Sequence, residues 1–192
     1  MNRINTQSRG RASILRRIYH IYMLSALACL LFTVRVRAEI TPQLIQEWQK
    51  QPTNVQWSVF YQNTSFNVVD KLPWESPDLA ETWAYTSKYK DNNGMVSHID
   101  IVVKRGYESA LTHEVGHCLE DQNKVCNWWA FQPCFIQIWQ QERYNNILLY
   151  QGWTDIREYF ACAYDLYIHQ PKILRQSCPS TYNYIKLVLR YK

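Results

Sequence analysis

The stretch Ala110-Leu111-Thr112-His113-Glu114-Val115-Gly116-His117-Cys118-Leu119-Glu120-Asp121 decides how the rest of the chain is read. As a helix, it sets His113 and His117 one turn apart on one face, so both imidazoles reach a single ion. Glu114 is rotated off that pair by one residue, within reach of a water on the ion and outside the ligand set. In this His-Glu-x-x-His arrangement two neutral nitrogens hold Zn²⁺, and a carboxylate takes the proton of the bound water. The bland alternative is a helix carrying two surface histidines.

Two histidines do not complete a catalytic zinc site, which takes three protein ligands and keeps one position open. The extended metzincin pattern needs Gly at 120 and His at 123, where this chain has Glu120 and Asn123. Glu120 and Asp121 lie within a turn of His117, too close along the helix to close a tetrahedron begun by the i,i+4 pair. They suit an imidazole N–H acceptor or the helix surface. Asp165 and His169 sit late on the next helix. Glu158 is the best-placed third ligand, because Tyr159-Phe160-Ala161-Cys162-Ala163-Tyr164 follow it. A carboxylate in such company needs a partner to offset desolvation, and a cation is one. The bland reading pairs Glu158 with Arg157 or a lysine on the surface.

His113-Glu114-Val115-Gly116-His117-Cys118-Leu119-Glu120-Asp121 and, roughly forty residues on, Glu158-Tyr159-Phe160-Ala161-Cys162-Ala163-Tyr164 resemble the metallopeptidase domain of the anthrax lethal factor family. That family includes the Pro-Pro endopeptidases. The resemblance covers about residues 95–190. It implies a gluzincin-type zinc endopeptidase of α+β fold, a zincin-like domain with a small sheet packed on the HExxH helix and a mainly helical C-terminal half. It also implies that His113, His117 and Glu158 bind one Zn²⁺ per chain, that Glu114 activates the water, and that a protein or peptide is the substrate. The family uses a Tyr seven residues before the third ligand to donate to the oxyanion. Here that position is Gln151, and Tyr150 stands one residue earlier, so Tyr150 takes the role if one extra loop residue absorbs the shift. Cys162 is a second departure, standing where family members often carry another Glu.

Working further outward, Met95 to Val103 is β-branched and reads as the clearest strand, set off by a turn at Asp91-Asn92-Asn93-Gly94. A strand shortly before the active-site helix is the zincin order, in which an edge strand lines the groove. His98 and Asp100 share one face of this strand and read as solvent-facing. Thr41 as N-cap and Pro42 at the first helical position predict a helix ending near Gln51-Pro52. Val55 to Tyr61 alternates as a half-buried strand, residues 64–80 read as loop, and Glu81 to Tyr89 is either strand or helix. Asn63-Thr64-Ser65 is a formal glycosylation sequon. Asn123 to Pro133 is an aromatic loop, Phe135 to Leu149 is helix-like, and Thr154 or Asp155 caps a helix from Ile156 to about His169. Pro179 to Leu189 predicts a last amphipathic helix.

The net charge of +5 points to nucleic acid or an anionic membrane only until its location is examined. Residues 1–38 hold seven arginines and no acid; taking these from 21 basic residues leaves 14 against 16 acidic ones. No nucleic-acid footprint remains in residues 39–192. The Arg-rich start and the apolar run Ile21 to Val34 read as an export signal, with a cut before Glu39 or retention as a signal anchor. Residues 39–192 then form a single exported domain, touching a membrane only through an uncleaved leader.

Cys118, Cys126, Cys134, Cys162 and Cys178 fit an oxidising compartment, and none forms a CxxC. Proximity favours a Cys126–Cys134 disulfide, and bonding of Cys118 and Cys162 would staple the two site helices. Against the exported metalloendopeptidase stand two other classes: a catalytically silent zinc-binding module, and a disulfide-stabilised interaction domain without metal.

Overall fold

In a computed structural model the chain is described over residues 40–73, 83–94, 96–120, 130 and 132–190, and Ala38–Lys192 forms one compact unit. The leader, Asp121 and nearly all of the aromatic loop lie outside the described residues.

Helix α1 (Pro42–Gln49) starts as expected: the Thr41 hydroxyl accepts from Leu44 N–H at 3.2 Å, with Pro42 in the first turn. The same hydroxyl donates to the buried Glu108 carboxylate at 3.0 Å, in a short 3-10 turn, Glu108–Ala110. Next comes a correction. Val55 to Tyr61 is not a strand, because Thr53–Phe60 forms helix α2. Val55 and Val59 satisfy a period of four as well as a period of two, and both are fully buried. Tertiary packing overrides the β preference of the valines.

The second correction follows directly. Thr64–Val69 is strand β1, not loop, with Phe66 and Val68 alternating into the core. Ala84–Lys90 is strand β2, which resolves the ambiguity at 81–89, and Val96–Lys104 is strand β3, as expected. The Asp91–Gly94 turn joins them, with Gly94 N–H donating to Asp91 O at 2.9 Å. The sheet order is β1-β3-β2; β1 runs parallel to β3 (Phe66 beside Ile101) and β2 antiparallel (Thr86 beside Ile101). The strand expected at the edge, β3, is therefore central, and β2 takes the edge.

Helix α3 (Leu111–Glu120) carries the His-Glu-x-x-His stretch and packs on β2 and β3. Leu111, Val115, Cys118 and Leu119 are fully buried and join Ile99, Ile101 and Val103 in one core. Beyond it, the helix expected over Phe135–Leu149 is shorter: α4 spans Pro133–Glu142, and a separate 3-10 turn, Ile147–Gly152, follows. Helix α5 (Ile156–His169) is capped by Asp155, which accepts from Arg157 N–H at 2.8 Å. Helices α6 (Pro171–Ser177) and α7 (Pro179–Val188) complete the C-terminal half. Among the described residues no helix is long and apolar enough to cross a membrane.

Among the described residues, Cys118, Cys134, Cys162 and Cys178 form no disulfide. The Cys118–Cys162 staple is not made; Cys126, one half of the expected Cys126–Cys134 bridge, lies outside the described residues. What joins α3 and α5 is close packing. A Cβ added to Gly116 would stand 2.7 Å from Ala161 Cα, so only glycine lets the two backbones approach this closely. Gln51 adds a polar tie behind them, donating to Thr112 at 2.8 Å and accepting from the Tyr164 hydroxyl at 2.7 Å.

Candidate metal centre

The α3–α5 contact brings His113, His117 and Glu158 together. The two imidazole Nε2 atoms are 3.1 Å apart. Glu158 Oε2 lies 3.3 Å from His113 Nε2, and Oε1 lies 3.4 Å from His117 Nε2. Among the described residues these three form the group whose ligand atoms converge closely enough for a metal ion. The spacing can be tested against chemistry. Ligands about 2.0–2.1 Å from a tetrahedral zinc stand about 3.3–3.4 Å from one another. The His113–His117 separation is just under that edge length, and one Glu158 oxygen lies at about that distance from each imidazole, so the donor set fits the ion in type and number.

The outer contacts orient this set. Glu120 Oε2 lies 3.1 Å from His117 Nδ1, and its other oxygen accepts from Lys88 Nζ at 3.0 Å. Glu120 is thus the imidazole acceptor anticipated from sequence, held in turn by a strand lysine. On His113 the corresponding atom, Nδ1, lies 3.6 Å from Cys162 Sγ.

Electrostatics follow from these contacts. Burial alone would lower the pKa of His117, but the carboxylates of Glu120 and Glu158 outweigh it and raise it to about 10. Hydrogen bonds from His113 and His117 hold Glu158 far below the usual carboxylate range. A place that retains a proton this firmly carries surplus negative potential, which is what a divalent cation also seeks. Glu114 differs. It is buried, and burial raises its pKa while His113, His117 and a hydrogen bond from Thr86 pull the other way. Thr86 Oγ1 donates to Glu114 Oε2 at 2.7 Å.

These groups open into a cleft of about 1020 Å³. Edge strand β2 supplies Thr86 and Lys88 to one wall; Glu158 and Asp165 of α5 supply the other, and Tyr150 comes from the 3-10 turn. Tyr150 is exposed, and Gln151 Nε2 lies 3.5 Å from its hydroxyl. Gly152 sets the turn tightly on α5, since a Cβ there would fall 2.1 Å from Tyr159 Cα. His98 pairs with Asp100 at 2.6 Å on β3 and does not join the cluster.

The sequence does not single out Thr86 and Lys88, and it marks Gln151 only as the residue standing where the family has its Tyr. The strand at 84–90 was ambiguous there, and only once it is a strand do Thr86 and Lys88 share a face.

Comparison with known proteins agrees over most of this unit. Among solved structures, the Pro-Pro endopeptidase PPEP-2 from Paenibacillus alvei is similar with a TM-score of 0.56 and 19% sequence identity, covering 79% of this chain and 95% of that one. No curated protein matches the chain. The model of the family described as anthrax toxin lethal factor, N- and C-terminal domain, matches residues 41–188, well beyond the 95–190 span read from the motifs. The chain belongs to the anthrax toxin lethal factor domain family.

Proposed function

We propose that the chain is an exported zinc metalloendopeptidase, with residues 1–38 as leader and 39–192 as a single metallopeptidase domain. The observation that carries the reading is the convergence of His113, His117 and Glu158, with Glu114 beside them. When bound, Zn²⁺ polarises a water, lowering its pKa toward about 7, and draws charge from a substrate carbonyl. His113, His117 and Glu158 hold the ion. Glu114 accepts the water's proton; its buried position makes it a stronger base than an exposed carboxylate, and Thr86 keeps one of its oxygens fixed. Tyr150 donates from the cleft wall to the developing oxyanion.

The membership in the lethal factor family and the likeness to a Pro-Pro endopeptidase support a protein or peptide substrate. The arginine-rich leader ahead of a near-neutral domain supports export, and nothing in the domain's charge calls for nucleic acid.

Metal content measured together with peptide-library cleavage tests the reading on the wild type, Glu114→Gln and Glu158→Ala. The wild type should hold about one zinc per chain and cleave. Glu114→Gln should keep the zinc and lose hydrolysis, and Glu158→Ala should lose both. Activity retained in Glu114→Gln would sink the assignment, and zinc without cleavage of any peptide would favour a silent binding module.

A further inference from the structure

We propose that Cys162 and Gln151 are positioning residues, forming with His113 and Tyr150 a one-way run of hydrogen bonds that fixes a ligand imidazole at one end and aims the tyrosine hydroxyl at the other. The inference rests on the metal-centre reading above.

The contacts are His113 Nδ1 to Cys162 Sγ at 3.6 Å, Cys162 Sγ to Gln151 Oε1 at 3.4 Å, and Gln151 Nε2 to Tyr150 Oη at 3.5 Å. Sulfur is larger than oxygen, so its hydrogen bonds run longer than those between nitrogen and oxygen. Donor direction is dictated at each link. With a metal held at Nε2, beside Glu158 and His117, the ring of His113 would carry its hydrogen on Nδ1 and donate it to sulfur. The thiol sits between this N–H and the amide oxygen of Gln151. An amide oxygen cannot donate, so the S–H must point to Gln151 Oε1. With that oxygen engaged, the amide N–H₂ of Gln151 faces Tyr150 and donates to a lone pair of its hydroxyl. The hydroxyl hydrogen of Tyr150 is thereby turned away from Gln151.

This accounts for the one-residue offset of Tyr150. Gln151 points inward to Cys162 and holds the exposed tyrosine before it, so the displaced phenol is still tied to the ligand helix. The two ligand imidazoles also have unequal partners. His117 leans on the charged Glu120, whereas His113 leans on an uncharged thiol, leaving the centre one negative charge short of a doubly carboxylate-backed pair.

The test uses the full-length chain, zinc competition against a chelator, and the absorption spectrum of the cobalt-loaded protein. Cys162→Ala should weaken zinc binding about tenfold and shift the cobalt bands. Cys162→Ser, which still accepts and donates, should stay within about threefold of wild type. If the alanine variant does not fold, Cys162→Val fills the space without the hydrogen bond and should behave as the alanine was expected to. Gln151→Ala should keep its zinc affinity, lower kcat, and add nothing further in a Tyr150→Phe background. Unchanged zinc affinity and cobalt spectrum in the folded Cys162→Ala or Cys162→Val protein would overturn the proposal. So would independent, multiplying losses for Gln151→Ala and Tyr150→Phe. A wild type that binds no zinc removes the metal-centre reading and this inference together; a zinc-binding wild type indifferent to Cys162 removes only this one.

Discussion

The hydroxyl of Thr86, on the edge strand, donates to Oε2 of Glu114, on the adjacent helix, at 2.7 Å. One contact therefore ties the sheet to the proposed general base. A hydrogen bond to a charged group contributes about 1.5–3 kcal/mol. Thr86→Val keeps the shape of the side chain and removes the donor. It should lower kcat/KM by roughly tenfold or more while leaving zinc content at one per chain. A variant with undiminished kcat/KM would show that Glu114 needs no help from β2.

Gly116 faces Ala161 across the α3–α5 crossing, and the atom in the way of any Cβ is backbone. Gly116→Ala must push the helices apart, at a cost of about 1–3 kcal/mol as an overpacking substitution. The same movement carries His117 away from Glu158, so zinc affinity should fall along with stability. Chelator competition and a urea melt check both; a loss of stability without a loss of affinity would separate the crossing from the site.

The C-terminal helix is capped from a distance. The buried carboxylate of Glu142, at the end of α4, accepts from Ser180 N–H and Thr181 N–H at 2.9 Å each and from the Thr181 hydroxyl at 2.8 Å. It neutralises the amides at the start of α7, where an anion is favoured. Glu142→Gln should cost about 1–3 kcal/mol of stability, read as a lower denaturation midpoint. An unchanged midpoint would mean that α7 docks by its apolar face alone.

His169 joins α5 to α1, with Nδ1 3.1 Å from Asp165 and Nε2 3.0 Å from Glu47. The Asp165 hydrogen bond leads in raising its pKa above 6.5, with Glu47 adding to it and burial opposing. A raised folded-state value means the protonated ring stabilises the fold. That contribution is complete below about pH 6.5 and disappears as the pH rises through the folded-state value. The stability difference between wild type and His169→Gln should therefore shrink on going from pH 6 upward. A constant difference across that range would show that the clasp is not ionic.

Much of the centre was legible because it is written in local spacing. His113 and His117 need only a helix to be neighbours, and Glu158 betrayed itself as an acid among aromatic residues. For Glu120 its distance along the helix left two roles, imidazole acceptor or surface acid, and the contact with His117 selects the first. What could not be read depended on partners distant in sequence. Val55 and Val59 suit two periodicities, and only the core they enter selects the helix. Thr64–Val69 is recognisable as a strand once β3 lies beside it, and that pairing then makes β2 the edge. The cysteines misled for a related reason: Cys118 and Cys162 lie on helices that do touch but form no disulfide, and Cys162 is turned to His113 and Gln151.

The seating of Gly116 against Ala161 has a further meaning for how the protein comes into being. Two of the proposed ligands travel on one helix and the third on another, so no stretch of the newly made chain holds the complete set. The proposed centre would exist only after the two helices have docked, and capture of an ion would then be coupled to the final consolidation of the fold. On the proposed function, the metal supply that matters would be that of the place where folding finishes, and a chain that finishes there in the absence of zinc would be left as a dormant scaffold.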